Sequence, residues 1–334
     1  MAEPLRYSGA AYFRQRIVLS VLSGRPVRID NIRSTEDSPG LSEYEANFLK
    51  LIDKLTNGSQ TDINYTGTAV LFKPGFFAGG QVEHDCGTER AVGYYLEPVI
   101  SMAPFGKAPL SLTLTGITNS AQDPSVDVLR TVTLPTLKLF GLEDGAELRI
   151  ARRGAPPLGG GQVFFSCPVV KQLKPVQLLE AGKIKRIRGI AYSTRVSPQT
   201  ANRIVDAARS LLNTFIPDVY IYTDHYKGAE SGRSPGFALS LVAESTTGVL
   251  TSAECAAEAG MLPEDLGLRT AKLLFEEISR VAHITPLHQC SIQFLRHMRD
   301  FLGVTFKIKA EPESQSLTLT CIGIGFRNLS KRLG

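Results

Sequence analysis

The chain has 334 residues, of which 43% are hydrophobic and 21% are charged, as is typical of globular proteins. It contains no apolar run of membrane-spanning length and no secretory signal pattern, so we expect neither a membrane protein nor a secreted one. Five cysteines without a CxxC pair indicate a reducing compartment and no zinc ribbon. The formal charge of +5 favours an acidic partner such as RNA.

Helices and strands alternate along the first half of the chain. The predicted elements are a helix over 11–24, a strand over 26–32, a helix over 41–55, strands within 62–75, a helix over 88–106, a strand over 110–118, a helix over 123–142 and a strand within 146–154. Pro135 is expected to kink the last of these helices, because proline cannot donate the backbone hydrogen bond.

Two stretches of this region read alike, KPGFFAGGQVEHDC (73–86) and RRGAPPLGGGQVFFSC (152–167). We pair Gly79-Gly80 with Gly160-Gly161 and interpret both as a recurring turn or bulge, not as a phosphate cradle. A fainter third copy has an amphipathic helix over 290–303 and strands over 304–311 and 316–326. Its apolar stripe, expected to face the sheet, consists of Ile292, Leu295, Met298, Phe301 and Leu302. The sequence therefore predicts an α+β fold of three repeated modules, each combining helices with a four-stranded sheet.

A segment with a different pattern of helices and strands separates the second copy from the third. Its order is strand, helix, strand, a polar glycine-rich loop over 227–236, strand and helix, which suits a small α/β domain. We therefore predict a large domain of three modules over 1–181 and 282–334, interrupted by an inserted domain over 182–281.

Several blocks in this order resemble the RNA 3′-terminal phosphate cyclase family across nearly the whole chain. They lie at 32–34, 38–52, 71–81, 114–130, 152–163 and 281–295. The chain is similar in particular to the catalytically inactive, cyclase-like branch of that family. The resemblance implies the same three modules with a small inserted domain.

The start of the chain departs from the active members of that family, which carry an acidic residue and a run of glycines there for nucleotide and metal. Here residues 7–14 read YSGAAYFR, with one glycine and no carboxylate. Because phosphate cradles need close approach to backbone N–H groups, we interpret Ser8, Gly9, Tyr12 and Arg14 as a vestigial nucleotide pocket, with an anion as its candidate ligand.

The active family also forms a covalent nucleotidyl-histidine, in a segment between the inserted domain and the third module. In this chain Arg280 is followed almost directly by His283, so that segment is missing. His283 and His288, like His84 beside Cys86, are interpreted as surface or packing residues. We expect no catalytic residue, no cofactor and no metal.

The resemblance implies a non-catalytic factor of small ribosomal subunit biogenesis, located in the nucleolus of the nucleus. It would support early pre-18S rRNA processing within the small-subunit processome, together with a ribosome-assembly GTPase. The alternatives are a residual cyclase, an RNA endonuclease using Asp300 beside Arg299, or a plain RNA-binding module. Since arginine binds carboxylates and phosphates with two parallel hydrogen bonds, partner or RNA contacts are expected at Arg296 and Arg299, then at Arg152 and Arg153.

Overall fold

The computed structural model describes residues 3–142, 145–282, 289–311, 316–325 and 328. Its first module consists of β1 (Leu5–Ser8), α1 (Phe13–Ser23), β2 (Val27–Asp30), α2 (Glu43–Leu55), β3 (Thr56–Asn57), β4 (Gln60–Ile63) and β5 (Val70–Lys73). A short strand, β6 (Phe76–Phe77), pairs with β3. The second module consists of β7 (Gly80–Asp85), α3 (Val92–Met102), β8 (Leu110–Gly116), α4 (Val126–Val128), α5 (Leu134–Leu139), β9 (Glu147–Arg152) and β10 (Gly161–Cys167).

The sheets of these two modules have the same topology. The first has the order β1-β2-β5-β4 and the second the order β7-β8-β10-β9. In both, the first two strands are parallel and the other two pairs are antiparallel. Along β10, Val163, Phe165 and Cys167 alternate with half-buried residues, so one face of the second sheet turns to the core. The predicted α+β repeat is confirmed for these two modules.

The pairing of the two glycine turns, by contrast, is wrong. Gly79-Gly80 leads into β7, the first strand of the second module, whereas Gly160-Gly161 leads into β10, its last strand. The glycines also meet different neighbours, since a Cβ on Gly79 would collide with the carbonyl oxygen of Ala108. The shared Gly-Gly-Gln-Val string therefore marks two different places in the module, each with its own steric demand.

Local signals explain where the helices begin and end. Ser42 and Glu45 form a capping box at the start of α2, and α1 ends at Gly24, whose φ of 70° is left-handed. The irregularity predicted at Pro135 is a π-helical segment, Leu129–Thr133, between α4 and α5. The wider π-helical turn accommodates Pro135, whose backbone nitrogen has no hydrogen to donate.

The inserted region consists of β11 (Ile184–Thr194), α6 (Gln199–Leu212), β12 (Val219–Tyr226), β13 (Gly236–Ser245), β14 (Leu250–Ala256) and α7 (Pro263–Ala282). Its sheet has the order β12-β11-β13-β14, with only β11 and β12 parallel among its pairs. Strand β14 was not predicted. Ala253 is its one buried hydrophobic residue, so the strand lacks the apolar alternation that identifies strands in a sequence.

In the third module, the described residues form α8 (Gln289–Leu302) and a two-stranded antiparallel sheet of β15 (Phe306–Glu311) and β16 (Ser316–Cys321). Helix α8 packs on α1, and its buried residues are His297, which is fully buried, and Phe301, which is 3% exposed. Ile292, by contrast, is 38% exposed, so the predicted apolar stripe is wrong at that position. The buried row follows the i, i+4 spacing of His297 and Phe301.

Two separate clusters of buried hydrophobic residues support the fold. The larger combines the first two modules with Phe301 of α8, and the smaller lies within the inserted region, from Ile187 to Leu274. The domain boundaries at 181/182 and 281/282 stay a prediction. No helix among the described residues is long and apolar enough to cross a bilayer.

Candidate functional site

The turn from β1 into α1 contains the residues predicted to form the vestigial pocket. Gly9 and Tyr12 both adopt left-handed backbone conformations, with φ of 78° and 61°. The Ser8 hydroxyl accepts a hydrogen bond from Asn31, and the Gly9 carbonyl accepts one from Arg16 Nη1 at 3.0 Å. Tyr12 and Arg14 line a cavity of about 340 Å³, whereas Ser8 and Gly9 lie outside its lining.

Three arginines line this cavity, and each is ion-paired. Arg14 pairs with Glu97 and Arg33 with Glu45, both at 2.7 Å, and Arg90 forms a bidentate pair with Asp123. These hydrogen bonds raise the pKa of Arg33 and of Arg90. Each cation therefore has its own carboxylate. The sequence singled out Arg14 alone, because the other two arginines come from distant segments.

Aromatic rings surround the same arginines. The Arg90 guanidinium lies over the rings of Tyr44 and Tyr94, at 5.1 and 4.5 Å from their centroids. Arg14 lies over Tyr94 as well, at 4.5 Å. These stacked, ion-paired side chains are held in place by protein groups, which leaves them less able to reorganise around a phosphate.

Behind the cavity, a buried histidine joins α8 to the turn. The His297 ring lies edge-on to Tyr7 and Tyr12, with centroids 5.1 and 5.5 Å apart. Burial, and secondarily Arg16, lowers the pKa of His297 to about 4. No pattern in the sequence singles out this histidine. It is neutral at physiological pH and serves here as a packing group.

The glycine loop between β9 and β10 contains the most buried arginine of the described chain. Arg153 is fully buried, and it donates to Asp127, with Nη2 to Oδ1 at 2.9 Å, and to Asp224 at 3.2 Å. Its guanidinium lies over Tyr192 at 4.5 Å. The prediction that Arg153 contacts a partner is therefore wrong, because both of its Nη groups donate inside the protein and its side chain has no exposed surface.

Backbone hydrogen bonds join this loop to the segment after β12. Gly232 N donates to Arg153 O, Arg153 N donates to Glu230 O, and Arg233 N donates to Gly159 O. A Cβ on Gly232 would collide with the Gly159 carbonyl oxygen and lie 2.6 Å from that of Arg153. We call this junction of 153–160 with 228–234 the clasp. Gly232 is therefore required for the close approach of the two backbones.

Beside the clasp lies a larger cleft of about 640 Å³. Arg152 at the end of β9, Arg195 after β11 and Arg233 in the clasp line it, and all three are exposed. Arg152 was predicted as a contact residue, whereas Arg195 and Arg233 were missed. Arg233 belongs to the polar glycine-rich loop that the sequence indicated, but nothing in the pattern placed that loop beside Arg152.

On α8, Arg296 and Arg299 are both exposed, as the helical spacing predicts. Arg299 pairs with Asp300 at 3.5 Å, and Asp300 also accepts a hydrogen bond from Tyr7 at 3.2 Å. These contacts hold the Asp300 carboxylate beside β1. The contact role of Arg296 and Arg299 stays a prediction.

Other titratable candidates are also held by structural contacts. Asp123, which lies before α4, and Asp127, in the first turn of α4, are the partners of Arg90 and Arg153. His84 packs against Tyr95, and burial lowers its pKa to about 4. Within the described ranges, no group of three or more histidine, cysteine or acidic residues could hold a metal ion. His283 and His288 lie outside the described residues.

Comparisons with known proteins agree with the fold. Residues 5–308 match the family model described as RNA 3′-terminal phosphate cyclase. The chain is 53% identical to the RNA 3′-terminal phosphate cyclase-like proteins of Bos taurus and Homo sapiens, with 99% of each chain covered. It is 44% identical to the rRNA processing protein rcl1 of Schizosaccharomyces pombe, with 98% of both covered.

The alignment with the human protein extends over 368 positions, which exceeds the 334 residues of this chain by 34. The human relative therefore contains at least that many residues without a counterpart here. That they fall at the short junction between Arg280 and His283 stays a prediction.

Proposed function

Since the chain belongs to the RNA 3′-terminal phosphate cyclase family, we propose that it acts in rRNA processing and does not cyclise RNA ends. The cyclase-like name of its mammalian relatives and the name rRNA processing protein of the yeast relative support this direction. In the finer form of the proposal, the protein is a non-catalytic assembly factor of the small ribosomal subunit. It supports early pre-18S rRNA processing in the nucleolus, within the small-subunit processome.

One observation carries the non-catalytic part of the proposal. The cavity at the start of α1 is lined by Arg14, Arg33 and Arg90, and each is neutralised by a carboxylate. A nucleoside triphosphate needs cations or backbone N–H groups that are still free to bind its phosphates. Here the cations are already satisfied, and the bulky Tyr12 occupies the N-cap position of α1.

The direct test is incubation of the purified protein with RNA 3′-phosphate and ATP. We expect neither adenylylated protein nor cyclic ends. A second test is depletion of the protein from its own cells, which should lower mature 18S rRNA relative to large-subunit rRNA. Turnover in the first test, or normal 18S rRNA in the second, contradicts the proposal. Site-specific cleavage of a pre-rRNA fragment that disappears in Asp300→Ala would instead establish the endonuclease alternative.

The proposed partner is a ribosome-assembly GTPase that contacts Arg296 and Arg299. Both side chains project from α8, and Arg299 is 60% exposed. Exposed arginines that can form bidentate contacts are frequent anchors of interfaces. We expect Arg296→Ala to weaken co-purification with the GTPase. Arg209→Ala, at an exposed position on α6, should not. Unchanged co-purification of Arg296→Ala would rule out this surface.

A further inference from the structure

The cleft beside the clasp differs in charge from the cavity at the start of α1. Its three arginines, Arg152, Arg195 and Arg233, are exposed, and no carboxylate belongs to its lining. Among the described residues, Arg152 and Arg233 have no ion-pair partner. Glu230 is close in sequence but lies outside the lining. The cleft is therefore a place where positive charge is concentrated and left for a ligand to neutralise.

Two of these arginines are held by the clasp itself. Arg195 has a left-handed backbone, with φ of 54°, and its Nε donates to the Gly232 carbonyl at 2.5 Å. Arg233 lies across the loop at Gly160, where an added Cβ would be 3.0 Å from Arg233 Cγ. The glycine thus makes room for the stem of Arg233. Because the Arg195 side chain and the Arg233 backbone are already positioned, less conformational entropy is lost when these residues bind an anion.

The chemistry of the lining selects the class of ligand. Guanidinium groups bind phosphate with two parallel hydrogen bonds, and Thr115, Gln162 and Ser231 add neutral polar groups. The lining contains no aromatic ring on which a base could stack and no large apolar side chain to anchor a peptide. We propose that this cleft binds the phosphodiester backbone of single-stranded RNA without reading its sequence. The choice of RNA over another polyanion rests on the proposed role in rRNA processing.

The test is binding of a short fluorescein-labelled oligouridylate to the purified full-length chain, followed by anisotropy over a series of salt concentrations. The variant is Arg152→Gln with Arg233→Gln. Each lost phosphate contact should reduce the slope of log affinity against log salt by about 0.7, so we expect a reduction of about 1.4. Affinity at moderate salt should fall by roughly tenfold or more.

The matched control is Arg6→Gln with Arg209→Gln, which removes the same charge from exposed positions outside the cleft. It should leave the slope within about 0.3 of the wild-type value. If the cleft variant and the control behave alike, the cleft is not the RNA site. Equal thermal stability of the two variants shows that a difference in binding is not a difference in folding.

A second arm separates RNA from an acidic protein segment. An oligoglutamate peptide of the same length as the oligouridylate should bind more weakly than the RNA. Tighter binding of the peptide overturns the assignment to RNA. This binding assay does not depend on cyclisation or on 18S rRNA levels. The assignment of the cleft as an RNA site can therefore be disproved while the proposed function stands. Conversely, cyclase turnover can be found while the cleft still binds RNA.

Discussion

Arg153 links the second module to the inserted region through its buried guanidinium. Beside Arg152 and ahead of three glycines, it reads as a surface cation. In the structure its neighbour is exposed, whereas Arg153 is fully buried between Asp127 of the second module and Asp224 of the inserted region. The difference arises at the end of β9, where the register against β10 shifts between Ile150 and Arg152 and interrupts the regular alternation of side chains.

We expect Arg153→Met to destabilise the protein by about 3–5 kcal/mol, because it leaves the buried Asp127 without its main partner. The measurement is the free energy of unfolding from urea titration. Arg152→Met, one residue away and exposed, is the control and should change stability by less than about 0.5 kcal/mol. Similar values for both variants would mean that the Arg153 network does not stabilise the fold.

Among the elements, the clasp explains why the loop between β9 and β10 is rich in glycine. Gly232 faces the carbonyl oxygens of Gly159 and Arg153 across the clasp, at distances that leave no room for a Cβ. Gly154 is equally confined within its own side of the fold, by the Gly161 amide and the Gly116 carbonyl oxygen. The sequence correctly indicates a turn there. It does not indicate the second segment, which comes from residues 74 to 79 positions later and is brought close only by the whole fold.

Gly232→Ala should therefore separate the two segments of the clasp, at a cost of roughly 1–3 kcal/mol. Hydrogen exchange of the Arg233 amide, which donates to Gly159, should accelerate. Gly323→Ala is a suitable control, since its added Cβ meets no atom within 4 Å and its φ is not left-handed. Unaltered protection of the Arg233 amide in Gly232→Ala would contradict the steric argument.

At the scale of the whole molecule, the modular fold follows from the sequence better than its details do. The helices over 41–55 and 290–303 are found at Glu43–Leu55 and Gln289–Leu302, because long amphipathic patterns determine helices well. Sequence reasoning missed strand β14 and aligned the two modules incorrectly, by pairing Gly79-Gly80 with Gly160-Gly161. Both depend on which strands pair, and pairing partners lie far apart in the chain.

Much of the candidate site was equally inaccessible to sequence reasoning. Tyr12 and Arg14 were indicated by their neighbours in the chain, but the carboxylates that neutralise the cavity come from α2, α3 and the segment before α4. Charge compensation of this kind is a property of three-dimensional proximity. A sequence shows which arginines exist, not which carboxylate each one meets.

Two buried histidines make the stability of the whole molecule depend on pH. His84 and His297 have pKa values lowered to about 4, chiefly by burial, so both are neutral in the folded state. In the unfolded chain they bind protons below about pH 6.5. The unfolded state therefore takes up more protons, and stability should fall as the pH decreases from about 6.5 to about 4 and then level off with respect to these groups.

We expect each histidine to contribute roughly 1–3 kcal/mol to this loss. The measurement is the free energy of unfolding at several pH values for the wild type and for His297→Phe, which keeps an aromatic ring between Tyr7 and Tyr12. The variant should lose less stability on acidification. The same substitution at His84 should reduce the loss by a similar amount, and parallel curves for all three proteins would contradict both assignments.

Because the cleft and the clasp share Arg195 and Arg233, binding of RNA in the cleft affects how firmly the clasp is closed. Arg195 reaches the cleft while donating to Gly232, and Arg233 reaches it while its backbone bonds to Gly159. An anion bound there would require the clasp to be closed, so binding and closure are thermodynamically linked. At a ligand concentration of 100 times Kd, the closed state gains about 2.7 kcal/mol. Occupancy of the cleft would thus be transmitted as tighter docking of the inserted region onto the second module.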